Sequence, residues 1–302
     1  MHDRFGRPLT GLRVSVTNDC NLNCFYCHQE GCVSGDRQMT VEEIGKAIEL
    51  AAEFGTRKVK LTGGEPLLRR DIADIVAKVS KQPIEEVSMA TNGTMLADTA
   101  FDLADSGLDR VNISLDTLDP DTYAFITTKP MLEDALAGID AALDAGLKPV
   151  KLNMVLLAGI NDDEVERMLG YAASRGAILQ LIELLQAPTN EGSFAIYHCD
   201  LVNFERKFGE MARAVETRQT MHGRKRYILS EGEVEVVRPM HNSEFCMHCT
   251  RLRLTPDGYL KPCLLRSDNL VDLLSHLRAG EMDRARAAFD EAIARREPFF
   301  RG

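Results

Sequence analysis

Six of the chain's eight cysteines fall in two groups of three. Cys20, Cys24 and Cys27 are spaced C-x3-C-x2-C in "CNLNCFYC" (20–27), and Cys246, Cys249 and Cys263 are spaced C-x2-C-x13-C in "FCMHCTRLRLTPDGYLKPCL" (245–264). A closed tetrahedral metal site takes four ligands, so three leave one valence open, where chemistry can happen. In a reducing compartment such grouping reads as metal binding, not disulfides. The first group is either structural zinc completed by His28 or Cys32, or a [4Fe–4S] cube on three thiolates with its fourth iron facing outward. The second is either a zinc knuckle completed by His248, His241 or another side chain, or a second such cube. Between its cysteines, Arg251 and Arg253 alternate in "RLRLT" and so share one face of a strand. Two arginines on one face beside a metal can grip an oxyanion or a purine edge with paired donors.

The elements that must position these groups alternate along the chain. Strands are expected at 12–17, 58–62, 86–91, 110–116, 149–157 and 178–185. Helices are expected over 39–55, about 70–81, 95–106, after Asp119-Pro120, about 132–145, and from a cap at Asn161 and Glu164. Six βα units with short links predict parallel strands with right-handed crossovers. Six are too few for a complete eight-fold barrel. The expected class is therefore α/β: an incomplete (β/α)6 TIM-like barrel over residues 1–187, with a C-terminal α+β extension over 188–302 carrying the second cysteine group. Cys20, "GGEP" (63–66), "TNG" (91–93), "SLD" (114–116) and Glu183 all follow or end strands, on the carboxyl edge where barrel active sites collect.

Bulk properties narrow the classes. The 302 residues are 44% hydrophobic and 27% charged, an ordinary globular balance. A net charge of −10 and the absence of tryptophan argue against nucleic-acid binding. Without an apolar span or signal core, the chain is expected to be cytoplasmic.

The C-x3-C-x2-C spacing, Tyr26 before the last cysteine, and Gly63-Gly64-Glu65-Pro66 after the next strand resemble the radical S-adenosylmethionine (SAM) superfamily. That resemblance implies an open iron chelating the amino and carboxylate groups of SAM. Electron transfer from the cube then yields methionine and a 5′-deoxyadenosyl radical that abstracts hydrogen. The glycine pair is expected to let backbone approach the methionyl end, and Glu65 to help hold its ammonium. From about Asp3 to about Ser267, "GRPLTGLRVSVTNDCNLNCFYC" and the second cysteine block resemble the MoaA family, the GTP 3′,8-cyclases of molybdenum cofactor biosynthesis. The resemblance implies two [4Fe–4S] clusters, on Cys20, Cys24 and Cys27 and on Cys246, Cys249 and Cys263. It assigns Tyr26, Gly63, Gly64, Glu65, Ser114 and Leu185 to SAM. It assigns Arg13, Lys60, Thr91, Lys151, Arg251, Leu252 and Arg253 to GTP, with Arg251 and Arg253 also catalytic. Lys60 stands where many members have arginine, Leu185 where many have methionine, and Arg301 in place of the penultimate glycine of a terminal pair. An electron donor and a downstream cyclic pyranopterin monophosphate synthase are the implied partners, with a homodimer as the assembly it allows.

Two rival readings stay open. One is a radical SAM peptide maturase with an accessory cluster; the other is a zinc-stabilised binding protein without catalysis. Cys32, Cys199, His198, His222 and His276 read as ordinary side chains, the run "RAGEMDRARAAFDEAIARRE" as a solvated helix face, and Asp116 and Asn153 as scaffold or ligand groups alike.

Overall fold

The computed structural model describes residues 1–31, 37–218 and 222–300. Its centre is six parallel strands in sequence order: β1 (Gly11–Ser15), β2 (Lys58–Thr62), β3 (Glu86–Thr91), β4 (Arg110–Ser114), β5 (Lys151–Leu156) and β6 (Ile178–Glu183). The expected partial barrel is there, and the C-terminal third lengthens it at both edges. Beyond β6 come β9 (Glu233–Val237), parallel, then β8 (Arg224–Ile228) and β7 (Ala214–Arg218), antiparallel. Beyond β1 comes β10 (Arg251–Leu254), also parallel, then β11 (Tyr259–Lys261) and β12 (Val271–Asp272). One twelve-stranded sheet results.

Alternation explains how this sheet can both fold and work. Leu12, Val14, Val59, Leu61, Val111, Ile113, Leu152, Met154, Leu179, Leu181, Val234, Val236, Leu252 and Leu254 are buried in one apolar core. The helices supply the other half of that core. In α1 (Val41–Glu53), Ile44, Ala47, Ile48 and Ala51 are buried at helical spacing. The reciprocal Thr40–Glu43 capping box fixes where α1 begins; loss of such a cap costs about 1 kcal/mol. The residues between, Arg13, Lys60, Ser88, Asn112, Lys151, Asn153, Gln180, Glu235, Arg251 and Arg253, fall on the opposite face. Parallel strands covered by helices on both faces read as continuous apolar runs; here a polar inner face breaks the run at every second residue.

The sheet curls. Laid flat, β8 and β10 would stand eight strand spacings, roughly 38 Å, apart. Yet His222, in the β7–β8 turn, stacks on Phe245 of α9 (Ser243–Met247), with ring centroids 4.1 Å apart. Arg224 of β8 lies close enough to Arg251 of β10 for their charges to interact. The two edges therefore face each other across a basic interior.

Three expectations change. The helix expected at 95–106 forms only over α3 (Ala100–Asp105). Before it, Thr91 Oγ1 and Asn92 Oδ1 accept from the amides of Gly93 and Thr94, holding turns that compete with a helix. Asn161 and Glu164 do not cap α6 (Val165–Ser174). Asn161 instead bonds Leu157 N and the carbonyls of Asp116 and Val155, and Glu164 accepts from Thr117 Oγ1. The charged terminal run is not simply solvated. In α11 (Met282–Ala294), Ala285, Ala288, Phe289, Ala292 and Ile293 are buried, and Phe289 stacks on Phe54 at 5.3 Å.

Candidate functional site

The first cysteine loop leaves the carboxyl end of β1 and is pinned from four sides. Gly64 N and Glu65 N donate to Thr17 O and Asp19 O, at 2.9 and 2.7 Å. Asn23 N and Phe25 N donate to Thr127 O and Ile126 O, at the end of α4 (Pro120–Thr127). Asn190 Nδ2 and Thr189 Oγ1 reach Tyr26 O and Cys27 O, at 2.6 and 2.9 Å. Tyr26 donates to Asp116 Oδ2 at 2.5 Å, and burial pushes the Asp116 carboxyl up to about 6. That bond fixes Asp116 as the brace of the tyrosine between two cysteines.

The glycine pair is also required by the fold itself. A Cβ on Gly63 would lie 2.5 Å from Thr17 O, and one on Gly64 only 2.1 Å from Asp19 O. The pair is required by contact with the chain's own backbone leading to Cys20, and Gly63 also takes φ +158°. Glu65 is likewise engaged internally. It is 1% exposed and accepts from Thr91 Oγ1, Asn92 N and Leu67 N at 2.7 to 3.0 Å. It ties β2 to β3 beneath the loop, with Thr91 as its partner and not a free ligand group. Ser114 is exposed at the carboxyl end of β4, and Leu185 is 9% exposed after β6.

The second cysteine segment lies at the other end of the strands. Cys246 and Cys249 precede β10, and Cys263 follows β11, which returns antiparallel to β10. Because β10 runs parallel to β1, this trio sits at the amino end of the barrel and the first at the carboxyl end. Strands of this length separate the ends by roughly 15 Å. The two trios thus face each other along the interior.

Between them stand the basic side chains. Glu30, just past the first cysteines, is clamped by Arg13 of β1 and Arg253 of β10. Burial opposes its charge, yet these two guanidiniums hold it well below the usual carboxylate range. Lys151 meets Glu235 at 2.5 Å, and Arg218 reaches the same carboxylate at 2.5 Å. Burial, against the pull of Glu235, brings Lys151 down to about 8, and its three cationic neighbours bring Glu235 down to about 2 despite burial. Lys60 donates to Asn112 Oδ1 at 2.7 Å. Burial, with Arg110, Arg13, Arg251 and Lys151 nearby, depresses it well below the ordinary lysine value. Arg251 has no carboxylate partner among the described residues. Burial and the neighbouring Arg224 and Arg13 oppose its charge, and a guanidinium cannot escape by losing its proton. Such crowding is relieved by an anion. Leu252, between the two arginines, is fully buried on the apolar side, so its side chain faces away from them.

The donor sets fit iron–sulfur cubes. Burial pushes the Cys20, Cys24, Cys27 and Cys263 thiols up, so the thiolate forms when a metal takes the proton's place. His28 Nδ1 is engaged by Glu30 N at 3.0 Å, His248 Nδ1 lies 2.9 Å from Glu244 O, and the His241 ring packs on Phe300. Cys32 and Arg301 lie outside the described residues. Among the described residues no three His, Cys, Asp or Glu side chains converge as one ion would require; a cube holds its thiolates at separate corners.

Several further side chains carry no local signature. His198 pairs with Glu183 at 3.0 Å, and His276 with Glu281 at 3.0 Å. Asn153 accepts from Gln180 and Asn112. His222 is 6% exposed, its Nδ1 has no hydrogen-bond partner among the described residues, and burial among Arg251, Arg224, Arg253 and Arg13 keeps it neutral. Cys199 is half-buried, its thiol 3.9 Å from Asp200 O.

A partial barrel with a three-cysteine loop at its carboxyl end is the arrangement of the radical SAM superfamily, whose family model matches residues 14–172. The model for Molybdenum Cofactor Synthesis C matches residues 177–301. The chain belongs to the GTP 3′,8-cyclase (MoaA) family within that superfamily. It is 49% identical to the probable GTP 3′,8-cyclase of Methanothermobacter marburgensis, over 99% of both chains. It is 48% identical to those of Methanocaldococcus jannaschii, over 100% and 99%, and Pyrococcus abyssi, over 99% of both. Among solved structures, Streptococcus suis SuiB bound to S-adenosylmethionine matches with a TM-score of 0.67 at 18% identity, over 89% of this chain and 64% of SuiB. Native anSMEcpe with bound AdoMet matches with a TM-score of 0.58 at 15% identity, over 87% and 76%. At such identity these two share the fold.

Proposed function

We propose that this chain is a radical SAM GTP 3′,8-cyclase, forming (8S)-3′,8-cyclo-7,8-dihydroguanosine 5′-triphosphate from GTP in molybdenum cofactor biosynthesis. The observation that carries the reading is the pair of three-thiol sites at opposite ends of one barrel, with a crowd of cations between them. Cys20, Cys24 and Cys27 would hold one [4Fe–4S] cluster, and Cys246, Cys249 and Cys263 the other. Bound there, the first cluster would supply the electron for SAM cleavage and the second would offer a binding point for guanine.

The chain's own residues do the rest. Tyr26, Gly63, Gly64, Glu65, Ser114 and Leu185 shape the SAM end, the glycines and Glu65 by holding the cysteine loop. Arg13, Lys60, Lys151, Arg251 and Arg253 neutralise the triphosphate and orient the ribose between the clusters. Thr91 contributes through Glu65, and Leu252 through its main chain. Residues 1–187 form the SAM-binding partial barrel and lend Arg13, Lys60 and Lys151 to the nucleotide, while 188–302 carry the second cluster with Arg251 and Arg253, a division supported by the end of βα alternation near Pro188. An electron donor and a downstream pyranopterin-forming synthase complete the scheme. No helix is long and apolar enough to cross a membrane, and a cytoplasmic setting suits exposed cluster thiols.

Anaerobic turnover with GTP, SAM and a reductant tests the reading. 5′-Deoxyadenosine should form only when GTP is present, and mass spectrometry should find the cyclised triphosphate. SAM cleavage that ignores GTP and follows a peptide would favour a maturase. Zinc without iron or sulfide would leave a non-catalytic binding protein.

Lys151 gives a pH signature. Its depressed value near 8 means the ammonium that meets a phosphate is present below pH 8 and lost above it. The kcat/KM for GTP, which reports the enzyme before GTP binds, should fall by up to about tenfold as pH rises from 7 to 9. In Lys151→Arg the limb should flatten, because guanidinium keeps its proton. A fall of equal size in that variant assigns the limb to other groups.

A further inference from the structure

Behind the second cysteine segment lies a buried cluster drawn from both ends of the chain. Arg7 Nη1 donates to Cys246 O at 2.9 Å, and Arg296 Nη2 donates to Cys249 O at 2.6 Å. Asp3 joins them: its Oδ2 lies 2.8 Å from Arg7 Nε and 3.6 Å from Arg296 Nη1. The other oxygen, Oδ1, accepts from Phe5 N and Arg7 N. Arg296 Nη2 also reaches Pro8 O at 3.3 Å. Asp3, Arg7 and Arg296 are 7%, 5% and 0% exposed.

Two features lift this above a structural ion pair. The carbonyls held are those of two cysteines, and Cys246 O also accepts from Cys249 N at 3.2 Å, closing the Cys-x2-Cys turn. The charges do not balance either. Two guanidiniums share one carboxylate in an almost wholly buried site, and Arg296 is close enough to the Cys249 thiol to feel its charge. A buried excess cation is costly unless an anion offsets it. A cube carried on three thiolates is such an anion.

We propose that Arg7 and Arg296, bridged by Asp3, are positioning residues for the second cluster: they set the geometry of the Cys246–Cys249 turn and balance the cluster's negative charge. This rests on the reading of Cys246, Cys249 and Cys263 as a cluster site. Neither arginine reaches substrate; both act through the cysteines they hold.

The test uses the full-length protein, reconstituted without oxygen, as Arg296→Met, Arg296→Lys, Arg7→Met and Arg7→Lys. Iron released to a chelator is followed over time, and the two clusters' midpoint potentials are separated by their EPR signals. In the Met variants the second cluster's iron should leave about 10–100-fold faster, the range for lost outer-shell partners. Its midpoint potential should move to more negative values, since a cation that favours the reduced form is gone. The first cluster's potential and its SAM-perturbed signal should stay unchanged, and the Lys variants should recover most of the potential while recovering less of the iron retention. Unchanged iron release and potential in both Met variants would overturn the proposal. Loss of both clusters together would also overturn it, making the triad a general determinant of folding. If the wild-type chain holds only about four irons, the functional reading itself fails before any variant is compared.

Discussion

Cys246→Ser should abolish GTP cyclisation while leaving SAM chemistry at the first site intact. The expected loss in GTP turnover is roughly a hundredfold or more, because removing a direct ligand exceeds the cost of removing an outer-shell partner. Iron should fall from about eight to about four per chain. The separation follows from what holds each loop. The first cysteine loop is pinned by the ends of β2 and α4 and by Thr189 and Asn190, none of which touches Cys246. SAM binding at the first cluster, read by its SAM-perturbed EPR signal, should therefore persist, and Cys24→Ser should remove it. Normal cyclisation by Cys246→Ser would mean that the second site is misassigned. Loss of both clusters' iron would mean that the two ends of the barrel are not independently built.

The parts of this architecture legible in the sequence are those with local causes. Thr40 with Glu43 marked the start of α1, Asp119-Pro120 marked that of α4, and period-two runs marked the strands. Cysteine spacing picked out both three-thiol groups without any knowledge of the fold. The pairing of β10 with β1, across about 240 residues of sequence, has no local signal, and it is this pairing that turns two cysteine motifs toward one interior. Glu30 carries no signal in the sequence; only the approach of Arg13 and Arg253 from two strands makes it the centre of a clamp.

Arg296 was hidden differently. It sits in a run so charged that solvent was the natural reading. Yet Ala285, Ala288, Phe289, Ala292 and Ile293 fall at helical spacing, and that stripe was present in the sequence. The glycine pair and Glu65 show the converse. Their motif marks the turn after β2, and what fixes it there is close contact with the chain's own backbone.

Arg251 should reveal its task through opposite effects on two quantities. Every other cation discussed here has a partner: Glu30 for Arg13 and Arg253, Glu235 for Lys151 and Arg218, Glu86 for Arg110, Asn112 for Lys60. Arg251 faces other cations, and burial adds to its cost. In the empty protein it is a strain; with a triphosphate present it becomes a donor pair aimed at an anion. Arg251→Met should accordingly raise the melting temperature of the nucleotide-free protein, by about 2 °C for each kcal/mol recovered in a chain of this size. The same variant should weaken GTP binding about 10–100-fold, the worth of one charge-assisted contact of 1.5–3 kcal/mol. The GTP-induced rise in melting temperature should shrink in step, since stabilisation by a ligand scales with the logarithm of its affinity. Arg251→Lys should keep part of the affinity but lose the fork that grips two oxygens. SAM binding should not change in either variant. A wild-type GTP affinity in Arg251→Met, or a fall in nucleotide-free stability with no effect on GTP, would make Arg251 a scaffold residue and leave the anion to the remaining cations.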